Sequence, residues 1–207
     1  MNYESLIFDI DGTLWDSRQL VAEGYNIQLE KEGLQHLAVT AEDLRPLFGK
    51  VMTEIADVIL ASIDPSERYE LMERCMKTEN DYLFVNECRI GYPKVKETLE
   101  ALSKKYRLFI VSNSQCGYPE LCIDKLGLSD YIEGHMCFGD TGTSKGQTIL
   151  TLIRKQNIGS CIYIGDTQGD LEACREAGIP FIFCAYGLGK AESFDAKIDS
   201  IEELLNM

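Results

Sequence analysis

The sequence predicts an α/β fold built on a parallel sheet, and three observations lead to this prediction. Short apolar runs recur along the chain, at 6–10, 107–112, 135–138, 161–165 and 180–184. They are nearly continuous, as in strands that are covered on both faces. Helix-like segments separate the later runs, which is the alternation of a parallel α/β sheet. Apolar residues form 45% of the 207 residues, which is enough for a buried core.

Apolar residues at helical spacing place the helices between the later strands. Two stripes are expected to face the core: Val95, Leu99 and Leu102 on one helix, and Ile149, Leu152 and Ile153 on another. Gly178 is expected to end the helix that begins near Asp170, because glycine readily adopts the left-handed conformation that closes a helix. Ser200 with Glu203 resembles a capping box for a last helix over 201–205.

The segment between the first two strands is predicted to be helical throughout. One helix is expected to carry an apolar face, formed by Val51, Ile55, Val58 and Ile59. A further helix is predicted from Asp64 as its N-cap, Pro65 in its first turn and Glu67 as a capping-box partner. No convincing strand pattern occurs in this segment.

This change in hydrophobic rhythm sets the expected domain boundaries. We expect an α/β core domain of residues 1–14 and 91–207, and an α-helical cap domain of residues 15–90 inserted directly after the first strand. Such an insertion would sit above the carboxyl ends of the strands, where open α/β sheets bind ligands.

The charge of the chain argues against two classes of partner. It has 20 Lys and Arg against 34 Asp and Glu, a formal net charge of −14 and a pI near 4.6. Nucleic-acid binding needs a basic surface that neutralises phosphates, and anionic membranes also attract basic segments. We therefore expect neither nucleic acid nor membrane as a partner, and we expect an anionic small substrate to require a local positive site.

The chain is expected to be a soluble cytoplasmic protein, either a monomer or a homodimer. Acidic residues occur within the first eleven positions, which is atypical of a secretory leader, and no apolar run approaches the length of a membrane span. The chain has eight cysteines, and none of them form a CxxC pair: 75, 88, 116, 122, 137, 161, 174 and 184. We interpret them as reduced, mostly buried thiols.

The first strand ends in a motif with two carboxylates. Because side chains alternate along a strand, Asp9 and Asp11 are expected to point to the same side, with Ile10 opposite. Like charges placed close together are unfavourable unless a cation compensates them, and paired carboxylates suit an oxygen-preferring ion such as Mg²⁺. Gly12 permits a tight turn whose amide groups face an anion.

Further polar residues follow two later strands. Ser112 and Asn113 end the second strand and suit hydrogen bonding to phosphate oxygens. Asp166 ends the fourth strand, and Asp170 lies near the start of the next helix, so both can reach a metal from the opposite side. Lys145 lies between these motifs and is expected to balance the charge of the carboxylates and of a phosphoryl group.

Taken in order, these motifs resemble a known family. The run 9-DIDGT-13, the strand-end Ser112-Asn113, the downstream Lys145 and 165-GDTQGD-170 resemble the four motifs of the haloacid dehalogenase superfamily of aspartate-nucleophile phosphohydrolases. The opening 9-DIDGTLWDS-17 and the position of the insertion are similar to its phosphoglycolate phosphatase-like branch, which has a helical cap. The resemblance implies a Rossmann-like parallel sheet of strand order 3-2-1-4-5, which brings the ends of strands one, two and four together.

The resemblance also implies catalytic roles. Asp9 would be the nucleophile that attacks phosphorus, and Asp11 would protonate the leaving group and then activate water. Ser112 and Asn113 would hold the phosphoryl oxygens. Lys145 would neutralise both the nucleophile and the phosphate.

The implied cofactor is Mg²⁺. Asp9 and Asp166 would bind it together with the backbone carbonyl of Asp11, and Asp170 would support it through water. A small phosphorylated metabolite, similar to phosphoglycolate or a sugar phosphate, would be the substrate.

One residue departs from the family pattern, and the cap leaves the substrate open. The motif lysine is commonly followed by proline in this branch, whereas here Gly146 follows Lys145, which weakens assignment to a particular sugar-phosphate subgroup. In the cap, Arg45, Gly49 and Lys50 are candidates for substrate contact because an acidic protein needs cations near an anionic ligand.

The expected activity is hydrolysis through a phospho-Asp9 intermediate, and two alternatives stay open. A phosphosugar mutase of the β-phosphoglucomutase type would pass the phosphoryl group to a sugar hydroxyl. A regulatory module would bind phosphate or metal without turnover.

Overall fold

The computed structural model describes residues 3–87 and 90–207. The chain divides into two compact units, one formed by Met1–Asp16 with Ile90–Met207 and the other by Ser17–Arg89. One cysteine, Cys88, lies outside the described residues. No helix in the described part of the chain combines the length and apolarity needed to cross a bilayer.

The first unit contains a six-stranded parallel sheet of order β3-β2-β1-β4-β5-β6. Its strands are β1 (Ser5–Phe8), β2 (Arg107–Ser112), β3 (Ile132–Cys137), β4 (Cys161–Gly165), β5 (Phe181–Cys184) and β6 (Ala196–Ile198). The predicted order 3-2-1-4-5 is confirmed, and β6 adds an edge strand that the prediction lacked. A strand of three residues is too short to produce a hydrophobic period.

The helices of the two units, in chain order, are α1 (Arg18–Lys31), α2 (Ala41–Leu44), α3 (Met52–Ile59), α4 (Pro65–Val85), α5 (Val95–Ser103), α6 (Tyr118–Leu126), α7 (Phe138–Thr141), α8 (Lys145–Gln156) and α9 (Gln168–Ala177). Short 3₁₀-helices cover Gln35–Leu37, Arg45–Leu47 and Ile201–Asn206.

The centre of the sheet is fully buried because helices cover both of its faces. Phe8 at the end of β1 pairs with Ile110 of β2 on one side and Ile164 of β4 on the other. Phe109 and Tyr163 pack in the core cluster on one face. This burial explains why the apolar runs were nearly continuous, and it places the carboxyl ends of three central strands along one edge.

The helices of this unit agree with the predicted stripes, and one cap differs. The three residues of the α5 stripe, Val95, Leu99 and Leu102, are buried. Gly178 ends α9 with φ 69°, as predicted. The last helix is a 3₁₀-helix, and the Ser200 side chain makes no capping hydrogen bond, so the predicted capping box there is wrong.

The second unit consists of α1 to α4 and two 3₁₀-helices around their own core cluster, which includes Tyr25, Leu29 and Leu71. Helices α1 and α4 pack against each other at Gly24, where a Cβ atom would lie 2.8 Å from the Glu79 Cα atom. Glycine therefore permits this close approach.

Two details of the second unit correct the sequence prediction. Val58 is 56% exposed, because the flank of α3 that carries it is left uncovered within the described residues. Asp64 caps α4 as predicted, but the partner of its side chain differs from the predicted capping box with Glu67. The Asp64 carboxylate accepts hydrogen bonds from the backbone and hydroxyl of Ser66.

Candidate active site

The nucleophile candidate Asp9 stands immediately beyond β1. Its backbone N–H donates to the Ile164 carbonyl at 2.8 Å, so the ladder between β1 and β4 continues to this residue and fixes its direction. Its side chain is buried. The chain then turns at Gly12, which has φ 80°. Any Cβ atom at Gly12 would collide with the Asp166 carboxylate, so this turn requires glycine for its conformation and for space.

Lys145 brings a positive charge directly to Asp9. It is the first residue of α8, whose N-cap Ser144 accepts a hydrogen bond from the Gln147 backbone. Its Nζ atom lies 3.0 Å from Asp9 Oδ1 and 2.7 Å from Asp170 Oδ1, and the side chain is buried. The predicted pairing of a downstream lysine with the carboxylates is therefore present in the geometry.

Asp170 is held by the start of α9. Thr167 is the N-cap, and Asp170 is its capping-box partner. Asp170 Oδ2 accepts from the Thr167 backbone at 2.9 Å and from its hydroxyl at 2.7 Å, which leaves Oδ1 directed to Lys145. Thr167 is absent from the site residues predicted from the sequence, although Thr-x-x-Asp before a helix is a capping signal.

Asp166 is held by a loop from farther along the chain. Its Oδ2 atom accepts from the backbone N–H groups of Leu188 at 2.6 Å and Gly189 at 3.0 Å. Its Oδ1 atom is buried and has no hydrogen-bond partner among the residues that the structure describes. Gly187 lies so close to Asp166 that a Cβ atom there would collide with it. This loop is absent from the site predicted from the sequence, although the closely spaced glycines of 187-GLG-189 are an available signal.

Asp9, Asp166 and Asp170 form one buried carboxylate cluster. One oxygen from each lies within 4.8 Å of the other two. Burial raises the pKa of Asp9 well above its usual value, and Asp170 and Asp166 raise it further, while Lys145 lowers it. Burial, followed by the charge of Asp170, raises the pKa of Asp166 to about 7. The nearby positive charge of Lys145 therefore does not fully offset burial and the mutual repulsion of the carboxylates.

The same carboxylates raise the pKa of Lys145. Burial alone would lower it, but the charges of Asp170 and Asp9 outweigh burial, so Lys145 stays charged at neutral pH. The Lys145 ammonium group forms ion pairs with Asp9 and Asp170, and Asp166 is the third carboxylate of the same cluster. A divalent cation fits this donor set, because Mg²⁺ prefers hard oxygen ligands and would supply the positive charge that the carboxylates need. It would also provide a partner for the Asp166 Oδ1 atom, which has none among the described residues.

The carboxylate of Asp11 lies in a different environment. Its Oδ1 atom accepts from Trp15 Nε1 and from the Tyr118 hydroxyl, each at 2.8 Å. The two rings pack edge to face with centroids 5.4 Å apart, and Trp15 is fully buried. Tyr118 opens α6 and is absent from the site predicted from the sequence, because it belongs to none of the four motifs. The predicted metal contact through the Asp11 backbone carbonyl stays a prediction.

Ser112 ends the strand next to β1, and Asn113 follows it. Ser112 is the last residue of β2, two positions beyond the partner of Phe8, so it stands at the same edge of the sheet as Asp9. Its buried hydroxyl accepts a hydrogen bond from the Ser114 backbone at 3.2 Å. The chain thus turns back immediately after Ser112.

The candidate cap residues belong to the second unit. Arg45 Nη1 lies 3.8 Å from Glu42 Oε2, and Lys50 Nζ lies 3.6 Å from Glu54 Oε2. The side chains of both pairs are exposed. Gly49 has φ 85°. Their contact with substrate stays a prediction.

The chain is similar in sequence to one family model and to several phosphatases over most of its length. The family model described as haloacid dehalogenase-like hydrolase matches residues 6–184. A phosphoglycolate phosphatase of Agrobacterium fabrum is 30% identical over 190 residues, covering 87% of this chain and 80% of the relative. One from Aquifex aeolicus is 28% identical over 193 residues, covering 91% and 87%. A phosphorylated carbohydrates phosphatase of Thermotoga maritima is 26% identical over 216 residues, covering 99% and 97%.

Solved structures share the fold. A haloacid dehalogenase-like family hydrolase from Streptococcus pneumoniae superposes with a TM-score of 0.82 at 19% identity, covering 99% of this chain and 97% of that one. A related hydrolase from Bacteroides fragilis gives 0.83 at 21% identity, covering 98% and 100%.

Proposed function

Because the chain belongs to the haloacid dehalogenase-like hydrolase family, we propose that it is a Mg²⁺-dependent phosphatase that acts through a phospho-Asp9 intermediate. The chain is a phosphoric monoester hydrolase of this family. The observation that carries the proposed mechanism is the placement of Lys145 Nζ between Asp9 and Asp170, beside a third carboxylate, Asp166.

Asp9 is the proposed nucleophile. An Asp9 oxygen forms a bond to phosphorus while the bond from phosphorus to the leaving-group oxygen breaks. Attack requires the carboxylate form, which burial disfavours and which the nearby charge of Lys145 favours. Bound among Asp9, Asp166 and Asp170, Mg²⁺ would supply the remaining positive charge for the carboxylates and the phosphoryl oxygens.

Asp11 is the proposed acid and base. It gives a proton to the departing oxygen, and as a carboxylate it then removes a proton from the water that attacks phosphorus, which releases phosphate and restores Asp9. Trp15 and Tyr118 hold one Asp11 oxygen by two hydrogen bonds.

Ser112, Asn113 and Lys145 are proposed to bind the phosphoryl oxygens. The Ser112 hydroxyl and the turn after β2 stand at the edge of the sheet that carries Asp9. Transferred phosphoryl groups spread charge over three oxygens, so neutral donors and one ammonium group suit this role.

The proposed substrate is a small phosphorylated metabolite, similar to phosphoglycolate or a sugar phosphate. The names of the curated relatives support this class. We further propose that residues 17–89 act as a helical cap that selects the substrate, with Arg45, Gly49 and Lys50 as candidate contacts.

The test is phosphate release by the purified chain from a panel of phosphorylated metabolites, measured with Mg²⁺ and with a chelator. We expect Mg²⁺-dependent release for at least one small substrate and none for Asp9→Asn. Asp124→Asn, which changes an exposed carboxylate on α6, is the matched control and should retain activity. Isomer formation without phosphate release would indicate a mutase, and binding without turnover would indicate a regulatory module.

A further inference from the structure

A second cluster of metal-binding side chains lies outside the carboxylate site. One ligand atom from each of Cys116, Cys137 and Asp140 lies within 4.8 Å of the other two. Cys137 is buried, whereas Cys116 and Asp140 are exposed, so the cluster is accessible from solvent. The proposed phosphatase mechanism uses none of these groups.

Three elements build this cluster. Cys137 ends β3 and pairs across the sheet with Ser112, the last residue of β2. Cys116 lies in the segment that follows β2, and Asp140 lies in α7. The Cys137 thiol is 3.3 Å from Asp140 Oδ2, and the Cys116 thiol is 3.8 Å from Asp140 Oδ1. One carboxylate thus faces both sulfur atoms.

The backbone brings the two cysteines together, and the Cys137 thiol also contacts the Gln115 carbonyl at 3.5 Å. The Gly139 N–H donates to the Ser114 carbonyl at 3.1 Å, and the Cys137 N–H donates to Asp140 Oδ2 at 2.8 Å. A Cβ atom at Gly139 would lie 2.5 Å from the Cys116 nitrogen and 2.8 Å from its sulfur. Glycine at this position is therefore what allows Cys116 to approach.

We propose that Cys116, Cys137 and Asp140 form a binding site for a thiophilic cation such as Zn²⁺, separate from the carboxylate cluster. Tetrahedral Zn²⁺ with sulfur ligands at about 2.3 Å holds them roughly 3.8 Å apart, within the 4.8 Å limit that the two sulfur atoms meet. Three protein ligands leave the fourth position to water.

The two clusters differ in the metals that they select. Mg²⁺ prefers oxygen ligands, which the cluster around Asp9 supplies, whereas thiolates select softer ions such as Zn²⁺. Burial, with the hydrogen bond to Asp140, raises the pKa of the Cys137 thiol to about 12. Metal binding must therefore displace its proton, which Zn²⁺ does at thiol ligands.

A Zn²⁺ ion at this site would connect the segment that follows β2 with the end of β3 and with α7. The segment from Asn113 to Cys116 follows Ser112 directly and would be joined through the metal to α7. Zn²⁺ would thus restrain the segment that follows β2 whether or not the chain hydrolyses phosphate esters.

The experiment is a titration of the reduced full chain with Co²⁺, a spectroscopic substitute for Zn²⁺, in excess Mg²⁺ and without oxygen. We expect a saturable thiolate-to-cobalt charge-transfer absorption that Zn²⁺ abolishes. Cys116→Ala and Cys137→Ser should lose it, and Asp140→Asn should weaken it. Cys161→Ala, which removes a thiol at the first residue of β4, is the matched control and should retain it.

Circular dichroism of each variant separates loss of the site from loss of the fold. Cys116 is exposed, so Cys116→Ala tests the site even if Cys137→Ser unfolds. The proposal is wrong if the folded wild-type chain shows no thiolate absorption at saturating Co²⁺, or if Cys116→Ala retains it. A Cys116–Cys137 disulfide in a chain that binds no Co²⁺ after reduction would also overturn it, because the pair would then be a redox site.

Discussion

The Tyr118 hydroxyl donates a hydrogen bond of 2.8 Å to Asp11 Oδ1, across 107 positions of sequence. Trp15 donates to the same oxygen from the loop after β1. Asp11 is thus held in one orientation by two rings.

We expect Tyr118→Phe to lower kcat by about tenfold for substrates with poor leaving groups, a part of the 10² to 10⁴ that a placed acid contributes. The effect should be smaller for an aryl phosphate, whose leaving group needs little protonation. Steady-state kinetics with an alkyl and an aryl phosphate measure this difference. Tyr106→Phe, directly before β2, is the control, and equal losses for both substrates would contradict a positioning role for Tyr118.

Asp9→Asn should abolish turnover and leave the fold intact, because the amide keeps the shape of the side chain but is a poor nucleophile. Intact-protein mass spectrometry of acid-quenched reactions should detect a phosphoryl adduct on the wild-type chain and none on the variant. Detection of the adduct on Asp9→Asn, or wild-type activity of that variant, would exclude Asp9 as the nucleophile.

Lys145→Ala should impair both activity and stability. It leaves the buried carboxylates of Asp9 and Asp170 without their shared ammonium partner, and breaking a buried ion pair typically costs about 3–5 kcal/mol. Chemical denaturation should show a lower free energy of unfolding, partly restored by Mg²⁺. Lys190→Ala removes an exposed lysine and should change neither property. An unchanged midpoint for Lys145→Ala would contradict the assigned pairing.

Mg²⁺ should stabilise the chain more at about pH 8 than at about pH 5. The pKa of Asp166 is raised from 3.8 to about 7, chiefly by burial, and that of Asp9 is also raised. Between pH 3.8 and about pH 7, Asp166 holds a proton in the folded chain more often than in the unfolded chain. Without metal, the free energy of unfolding therefore falls as pH rises through this range. Mg²⁺ replaces those protons, and it competes with fewer of them at higher pH.

Thermal denaturation at both pH values, with Mg²⁺ and with a chelator, measures this effect. Asp166→Asn should lose most of the Mg²⁺ shift and should be more stable than wild type when both lack metal at the higher pH. An equal Mg²⁺ shift at the two pH values would show that the buried carboxylates do not bind the cation.

Much of the fold was already present in the local pattern of the chain. The apolar runs at 107–112 and 161–165 coincide with β2 and β4, because a strand buried on both faces must be apolar along its whole length. The four motifs likewise placed Asp9, Ser112 and Asp166 at the ends of predicted strands. Their polar side chains interrupt the apolar pattern where the strands end.

The sequence by itself determined which segments are buried strands and which residues carry chemical groups, because both are local properties of residue type and spacing. Only the tertiary structure decided that β6 joins the sheet, that Tyr118 holds Asp11, and that the Leu188 and Gly189 amides hold Asp166. These contacts depend on where a distant segment returns in space, and backbone amides carry no signal of their partner. Hydrophobic periodicity indicates whether a residue is buried, but the neighbours of that residue depend on how the whole chain folds.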